Sequence, residues 1–160
     1  YRSASMGRGN EYEAQAREAY EYHTGIFVDQ VAFIDHPRIR MSGASPDGLV
    51  GLDGGVEFKC PDSTTHIDTL KGAPINGKYL KQIHWNMACS ERAWWDYVSF
   101  DPRMKEPSMR LFIKRIDRDD VLIASIEKAV SDFLIDVAGT VAELRRAYVP
   151  IPDVSAYLQG

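Results

Sequence analysis

Asp47, Glu57 and Lys59 are the residues of this chain whose types and spacing suggest chemistry. They fall in the stretch 45–59, SPDGLVGLDGGVEFK, which reads as a β-hairpin. Residues 49–52 form a short apolar run, Asp53-Gly54-Gly55 supplies a turn, and residues 56–60 form a second run. Glu57 and Lys59 are two residues apart, so a strand points both side chains to one face. Asp47 stands just before the first run and adds a third charge. Charges gathered in this way desolvate or repel one another unless something compensates them. A divalent cation compensates two carboxylates. An all-oxygen donor set without paired Cys or His favours Mg²⁺ or Mn²⁺ over Zn²⁺. Mg²⁺ keeps part of its water shell and binds substrate phosphates, which suits hydrolysis of a phosphodiester. The lysine would then orient or help deprotonate the attacking water, or stabilise charge on the phosphate. The bland alternative is an exposed hairpin with ordinary ion pairs, each worth about 0–1 kcal/mol. Acid-x-lysine is a common spacing and does not by itself decide between the two.

The hairpin needs elements to hold it. Residues 10–22, NEYEAQAREAYEY, are good helix formers with no Pro or Gly. Tyr12, Ala16, Ala19 and Tyr20 make one apolar stripe, and Gly25 is a plausible stop. Glu13 neighbours that stripe, and its plain reading is a solvated acid paired with Arg17 four residues on. Residues 26–35, rich in Val, Ile and Phe, read as a strand, and residues 38–42 as a short second one. Pro61 ends the charged strand. Residues 62–77 read as a loop with a helical turn near 67–71. Residues 79–90 form a second helix, with Leu80, Ile83 and Met87 inward and Gln82 and Trp85 beside them. Residues 93–100 and 109–116 are strands, and residues 119–148 a long helix whose apolar positions run from Val121 to Leu144. Residues 150–160 are proline-bearing and extended. The order α-β-β-β-β-α-β-β-α predicts an α/β (α+β) fold, a mixed sheet flanked by helices, in a single domain over residues 1–160.

Composition narrows the class. The chain has 160 residues, enough for one domain with a core, and its 26% of charged residues is ordinary for a globular protein. A net charge of −4 argues against a wholly basic nucleic-acid binder but permits a local basic groove with a metal-lined floor. No stretch approaches the roughly 20 apolar residues of a membrane span, and no signal peptide is visible. Two cysteines, Cys60 and Cys89, make no disulfide framework, which points to a reducing, cytoplasmic setting. The chain opens on Tyr1 rather than Met, so a longer native protein is expected.

Asp47, nine intervening residues and then Glu57-Phe58-Lys59 resemble the PD-(D/E)xK nuclease signature, preceded here by Pro46. The flanking words resemble one branch of that superfamily, the lambda exonuclease and YqaJ-like viral recombinase family. They are GNEYEAQAR at 9–17, SPDGL at 45–49, EFKCP at 57–61, YLKQ at 79–82 and FDPRMK at 100–105, in the family's order and at similar spacing. The resemblance implies a restriction-endonuclease-like fold and a Mg²⁺- or Mn²⁺-dependent exodeoxyribonuclease with two ions. It implies Asp47, Glu57, Glu13 and the Phe58 backbone carbonyl as metal ligands, Lys59 as the catalytic lysine, and Gln82 as support for the nucleophile or a phosphate oxygen. It further implies 5′-to-3′ digestion of linear duplex DNA to mononucleotides, leaving 3′ single-stranded tails for recombination. A ring-shaped homotrimer and a single-strand annealing protein are the implied partners, in a bacterial host or phage-infected cell. Relatives also carry an upstream R-x-G-x-x-x-x-S-like word that holds a 5′ phosphate, and nothing like it precedes Gly9.

Further residues are weighed against plain readings. Ser63 and Thr64 follow the charged strand and are candidates for a DNA phosphate. Lys78 and Lys81 lie near Gln82, and Arg103 and Lys105 follow Asp101-Pro102. An exposed basic turn reads Arg103 and Lys105 equally well, and an ordinary solvated helix face is the better reading for Lys81. His66 lacks soft-metal neighbours and is not expected to bind metal. Trp85, Trp94 and Trp95 could stack on bases, but aromatics in strands and helices are more often core. Cys60 is expected as a small core residue rather than a nucleophile. Two other functions stay open: an endonuclease or repair nuclease of the same fold, and a catalytically silent DNA-binding module.

Overall fold

The computed structural model describes residues 4–148, and side chains from residue 12 onward. The extended tail expected over residues 150–160 lies outside the described residues. Helix α1 spans Ala4–Thr24, starting six residues before the helix expected over residues 10–22. It buries Ala16 and Tyr20. The strand expected over residues 26–35 is instead two short strands, β1 (Val28–Asp29) and β2 (Ile34–Asp35), which belong to different sheets. Residues 38–42 are not a strand either. His36 Nδ1 accepts the Arg38 and Ile39 amides at 3.2 and 3.0 Å, so the backbone turns there, and pairing resumes only at β3 (Gly43–Ala44).

The central hairpin is β4 (Gly48–Val50) and β5 (Gly54–Lys59). Its turn lies two residues earlier than the Asp-Gly-Gly signal suggests. Gly51 takes the left-handed conformation, at φ +56°, and Gly54 and Gly55 are strand residues. They are glycines because tryptophan rings cover them. A Cβ on Gly55 would meet the Trp95 ring at 2.3 Å, and one on Gly54 the Trp94 ring at 2.0 Å. After β5 the expected loop is a helix, α2 (Ser63–Leu70), started by Asp62, whose carboxylate accepts the Thr65 amide. Helix α3 (Gly77–Ser90) leads to β6 (Trp94–Phe100), β7 (Leu111–Asp117) and α4 (Asp120–Tyr148).

The main sheet has five strands in the order β1-β4-β5-β6-β7. β5 and β6 run parallel and the other pairs are antiparallel. This is a mixed sheet flanked by helices, the architecture expected of a restriction-endonuclease-like fold. Strand alternation divides the core. Val56, Phe58, Val98 and Phe100 pack with Ala16 and Tyr20 of α1. Trp95 and Tyr97 pack with Ile83, Met87 and Ala88 of α3 and Ile123 of α4. The odd-numbered residues of β5, including Glu57 and Lys59, therefore face α3.

The residues group into two compact units that divide after Ile126. In the second, the long helix continues to Tyr148, and the apolar stripe expected along it is not buried: Phe133 and Leu144 are exposed. Among the described residues of that unit, no second element covers the stripe.

Gly55→Ala forces a methyl group into the Trp95 ring in a buried strand. Overpacking of this kind costs about 1–3 kcal/mol, to be read as a lowered denaturant midpoint with unchanged slope.

Candidate active site

Glu57 is almost fully buried, with its side chain 1% exposed, and three side chains answer its charge. Lys59 Nζ donates to Oε1 at 2.5 Å, Gln82 Nε2 donates to the same oxygen at 2.6 Å, and Asn86 Nδ2 donates to Oε2 at 3.1 Å. Lys59 also donates to Gln82 Oε1 at 3.3 Å and lies 4.9 Å over the Tyr79 ring. The Gln82 amide thus turns its NH₂ to the carboxylate and its oxygen to the ammonium, serving both charges at once. The spacing explains the arrangement. Tyr79, Gln82 and Asn86 are three and four residues apart on α3, so they share the helix face that meets β5.

Asp47 stands at the open end of the hairpin, just before β4. Its Oδ2 accepts the Phe58 amide at 2.7 Å, which ties the carboxylate to the middle of β5. Burial pushes the Asp47 carboxyl up to about 7, helped by the neighbouring Glu57 and Glu13 charges and opposed by the Phe58 amide and Lys59. Burial also raises Glu57, while Lys59 and Asn86 pull it back. Two buried carboxylates that resist ionisation together are groups a cation would relieve.

A pocket of about 270 Å³ opens beside this pair, lined by Glu13, Ala14, Arg17, Gln30, Asp47 and Phe58. Glu13 therefore reaches the same space as Asp47, from α1 and the opposite side of the sheet to Gln82. The expected Glu13–Arg17 pair is not formed: among the described residues, no ion pair or hydrogen bond engages the Arg17 guanidinium. Helix α1 is held in place from its far end. Tyr20 Oη donates to buried Asp96 at 2.8 Å, and Arg115, stacked 3.5 Å over Trp94, donates twice to the same carboxylate at 3.0 Å.

Among the described residues, no group of three or more His, Cys, Asp or Glu is arranged to hold a metal ion. The donor set nevertheless fits a hard cation. Mg²⁺ takes one or two carboxylates and completes its shell with water and phosphate oxygens, and Asp47, Glu57 and the pocket-lining Glu13 are all-oxygen donors in a charge-rich, partly open place.

The other candidates lie around this centre. Ser63 and Thr64 open α2, just past β5, and Lys78 is exposed in the first turn of α3. Arg103 is engaged: Nε donates to buried Asp101 at 2.7 Å and Nη2 to the Pro61 carbonyl at 2.9 Å. His66 has both ring nitrogens in use. Nε2 faces the Met109 carbonyl, so it carries the proton, and Nδ1 accepts from the Ser99 hydroxyl, both at 2.8 Å. Cys60 packs against the core, and burial with the Glu13 and Asp47 charges raises its thiol to about 11, which keeps it protonated. Trp95 is buried, Trp94 lies under Arg115, and Trp85 donates to the Gly43 carbonyl and stacks on His36. Asn86 is the member of the site that sequence reading missed. Its only signal was its place one turn after Gln82 on a helix assigned to the core.

Comparison with known proteins agrees with this layout. Residues 1–93, more than half of the chain, match the model of the YqaJ-like viral recombinase domain. The chain belongs to the YqaJ-like viral recombinase family. A crystal structure of an alkaline exonuclease, LHK-Exo from Laribacter hongkongensis, is similar over 92% of this chain and 75% of its own, at 46% identity and a TM-score of 0.87. The same exonuclease in complex with dAMP gives a TM-score of 0.88. A phage-related exonuclease from Haemophilus somnus 129PT shares the fold, at 19% identity and a TM-score of 0.62 over 86% of this chain. Among curated proteins, the putative uncharacterized protein ExoD of Escherichia coli K12 is 26% identical over 70 residues, 44% of this chain and 78% of ExoD. The chain is thus a relative of the lambda-exonuclease-like alkaline exonucleases, a broader placement than lambda exonuclease itself.

Two outcomes test the electrostatics. An Asp carboxyl ordinarily near 3.8 that stands at about 7 in the folded protein keeps a proton the unfolded chain has lost. Through this group, stability falls as pH rises between those values and stays lower above them. In EDTA, Asp47→Asn should therefore melt above the parent at about pH 8, by roughly 3 °C or more, and the difference should vanish toward about pH 4; calorimetry across pH reads both. Asn86→Ala strands a buried carboxylate oxygen and should cost about 1–3 kcal/mol in urea unfolding.

Proposed function

We propose that this protein is a Mg²⁺-dependent exodeoxyribonuclease that digests one strand of linear duplex DNA from an end. The observation that carries the reading is the buried Glu57 carboxylate joined to Lys59 and Gln82, with Asp47 tied to the same strand and opening on the Glu13 pocket. Similarity to an alkaline exonuclease at 46% identity supports it.

In this reading Asp47, Glu57, Glu13 and the Phe58 carbonyl hold Mg²⁺ or Mn²⁺, as two ions. Bound there, the metal would neutralise phosphate charge and make a bound water acidic enough to attack. The chain's own groups supply the rest. Lys59, held between Glu57 and Gln82, is already oriented along the strand and donates to the attacking water or to a phosphate oxygen. Gln82 exchanges its bond to Lys59 or Glu57 for one to the nucleophile or phosphate. Asn86 keeps Glu57 from rotating while those bonds change. Ser63, Thr64, Lys78 and Arg103 are proposed contacts to the DNA backbone, Arg103 with the one guanidinium nitrogen that its bonds to Asp101 and Pro61 leave over. The 5′-to-3′ polarity, the mononucleotide products with 3′ tails, the ring-shaped homotrimer, the annealing-protein partner and the cytoplasmic setting come with the family resemblance and are part of the same proposal.

The test is digestion of linear duplex bearing one 5′-phosphorylated and one 5′-hydroxyl end, beside covalently closed circular duplex, with and without Mg²⁺. Mononucleotide release from the linear substrate alone, only with the metal, is expected. Nicking of the circle would establish an endonuclease instead, and no cleavage of either would leave a DNA-binding module. Lys59→Ala should lower the rate by about 100-fold or more. Because it also leaves the buried Glu57 carboxylate without its counter-charge, it should cost about 3 kcal/mol or more of stability, and the rates are compared well below the variant's melting temperature. Sedimentation as a stable monomer would overturn the ring.

A further inference from the structure

Arg17 stands out because it is half-buried and makes no polar contact with any described residue. It lines the pocket that also receives Glu13 and Asp47. An arginine has five donors in a rigid fork, and one placed beside acids ordinarily bonds to them. Here the acids one turn away on its own helix do not engage it: Glu13 shares the pocket without bonding to it, and Glu21 accepts the Val28 amide instead. Exposed Gln30, from the segment after β1, lines the same pocket.

We propose that Arg17, with Gln30 beside it, is a subsite for a backbone phosphate of the bound strand, next to the phosphate being hydrolysed. This rests on the nuclease reading above and assigns a residue to it that the acid–lysine signature does not contain. The pocket is lined both by carboxylates, Glu13 and Asp47, and by the guanidinium-bearing Arg17, which bonds to neither. Such a lining suits a phosphodiester chain with its cation: the acids would serve the cation, and the guanidinium a neighbouring anion. The scale is right. Four residues of helix rise about 6 Å, and successive phosphates of one strand advance about 3.4 Å along the duplex axis. Arg17 is therefore one or two phosphates from the acids rather than many. Anchorage of α1 by Tyr20 on Asp96 fixes the backbone position of Arg17 against the hairpin, so only the side chain itself has to be ordered on binding. A bound phosphate would take two donors from the fork and one from Gln30.

The experiment uses the whole protein and a short 5′-phosphorylated, fluorescein-labelled duplex, with Ca²⁺ replacing Mg²⁺ to hold off cleavage. Anisotropy is read over a series of KCl concentrations. Arg17→Met keeps the apolar stem and removes the charge. It should weaken binding by about tenfold at low salt and lower the slope of log K against log salt by about one. Arg17→Lys should keep the slope and recover part of the affinity, and Gln30→Ala should weaken binding without changing the slope. An Arg17→Met protein that melts with the parent and shows an unchanged slope would overturn the subsite, even if its affinity fell. The parent's own behaviour separates the two ideas: a parent that neither binds nor cuts duplex DNA sinks the nuclease reading and this subsite with it.

Discussion

The structure depends on keeping carboxylate charge inside a protein. Glu57 leaves β5 into the interior beneath α3, where an ionised acid without partners would be far costlier than any single contact around it is worth. Its neighbours are explained by that cost. Lys59 supplies the opposite charge, Gln82 bridges the pair, and Asn86 covers the remaining oxygen. Asp47 is answered less fully, by one backbone amide, and its carboxyl rises accordingly. Negative charge is thus gathered where the fold only partly compensates it, and a cation bound there would answer the residual demand.

The sheet delivers these groups from two sides. Alternation along β5 sends Val56 and Phe58 to α1 and Glu57 and Lys59 to α3. Gln82 and Asn86 meet Glu57 on the α3 side of the strand, and Glu13 and Arg17 line the pocket with Asp47 and Phe58 on the α1 side. Each helix has its own fastening. Helix α3 is joined to the excursion around β2 and β3 through Trp85 and to the sheet through Met87 and Ile83. Helix α1 is pinned by Tyr20 to an Asp96 that Arg115 also holds. Asp96 and Glu57 lie on neighbouring strands, so the buried polar groups on the two sides of the sheet share one rigid frame.

Kinship places the same frame in context. Similarity to LHK-Exo covers nearly the whole chain, whereas likeness to the Haemophilus somnus protein persists at an identity where only fold is informative. What survives that divergence is the layering of a mixed sheet between helices.

Charge and spacing in the sequence alone determined that Asp47, Glu57 and Lys59 share a hairpin, that Glu57 and Lys59 share a face, and that helices precede and follow them. These are local properties, set by a period of two in strands and of 3.6 in helices. The family resemblance added Glu13 and Gln82, which no local rule could join to residues tens of positions away. Only the tertiary structure decided the rest. The turn falls at Gly51 because Gly54 and Gly55 are needed bare beneath two tryptophans, a demand made by β6, forty residues later. The segment after β1 bends away because His36 captures two amides and stacks on a tryptophan of α3. Asn86 became part of the site, and Arg17 lost its expected partner, because both depend on where a helix lies against the sheet. That placement comes from packing two helices onto opposite faces of one strand, and a linear pattern of residue types does not encode it.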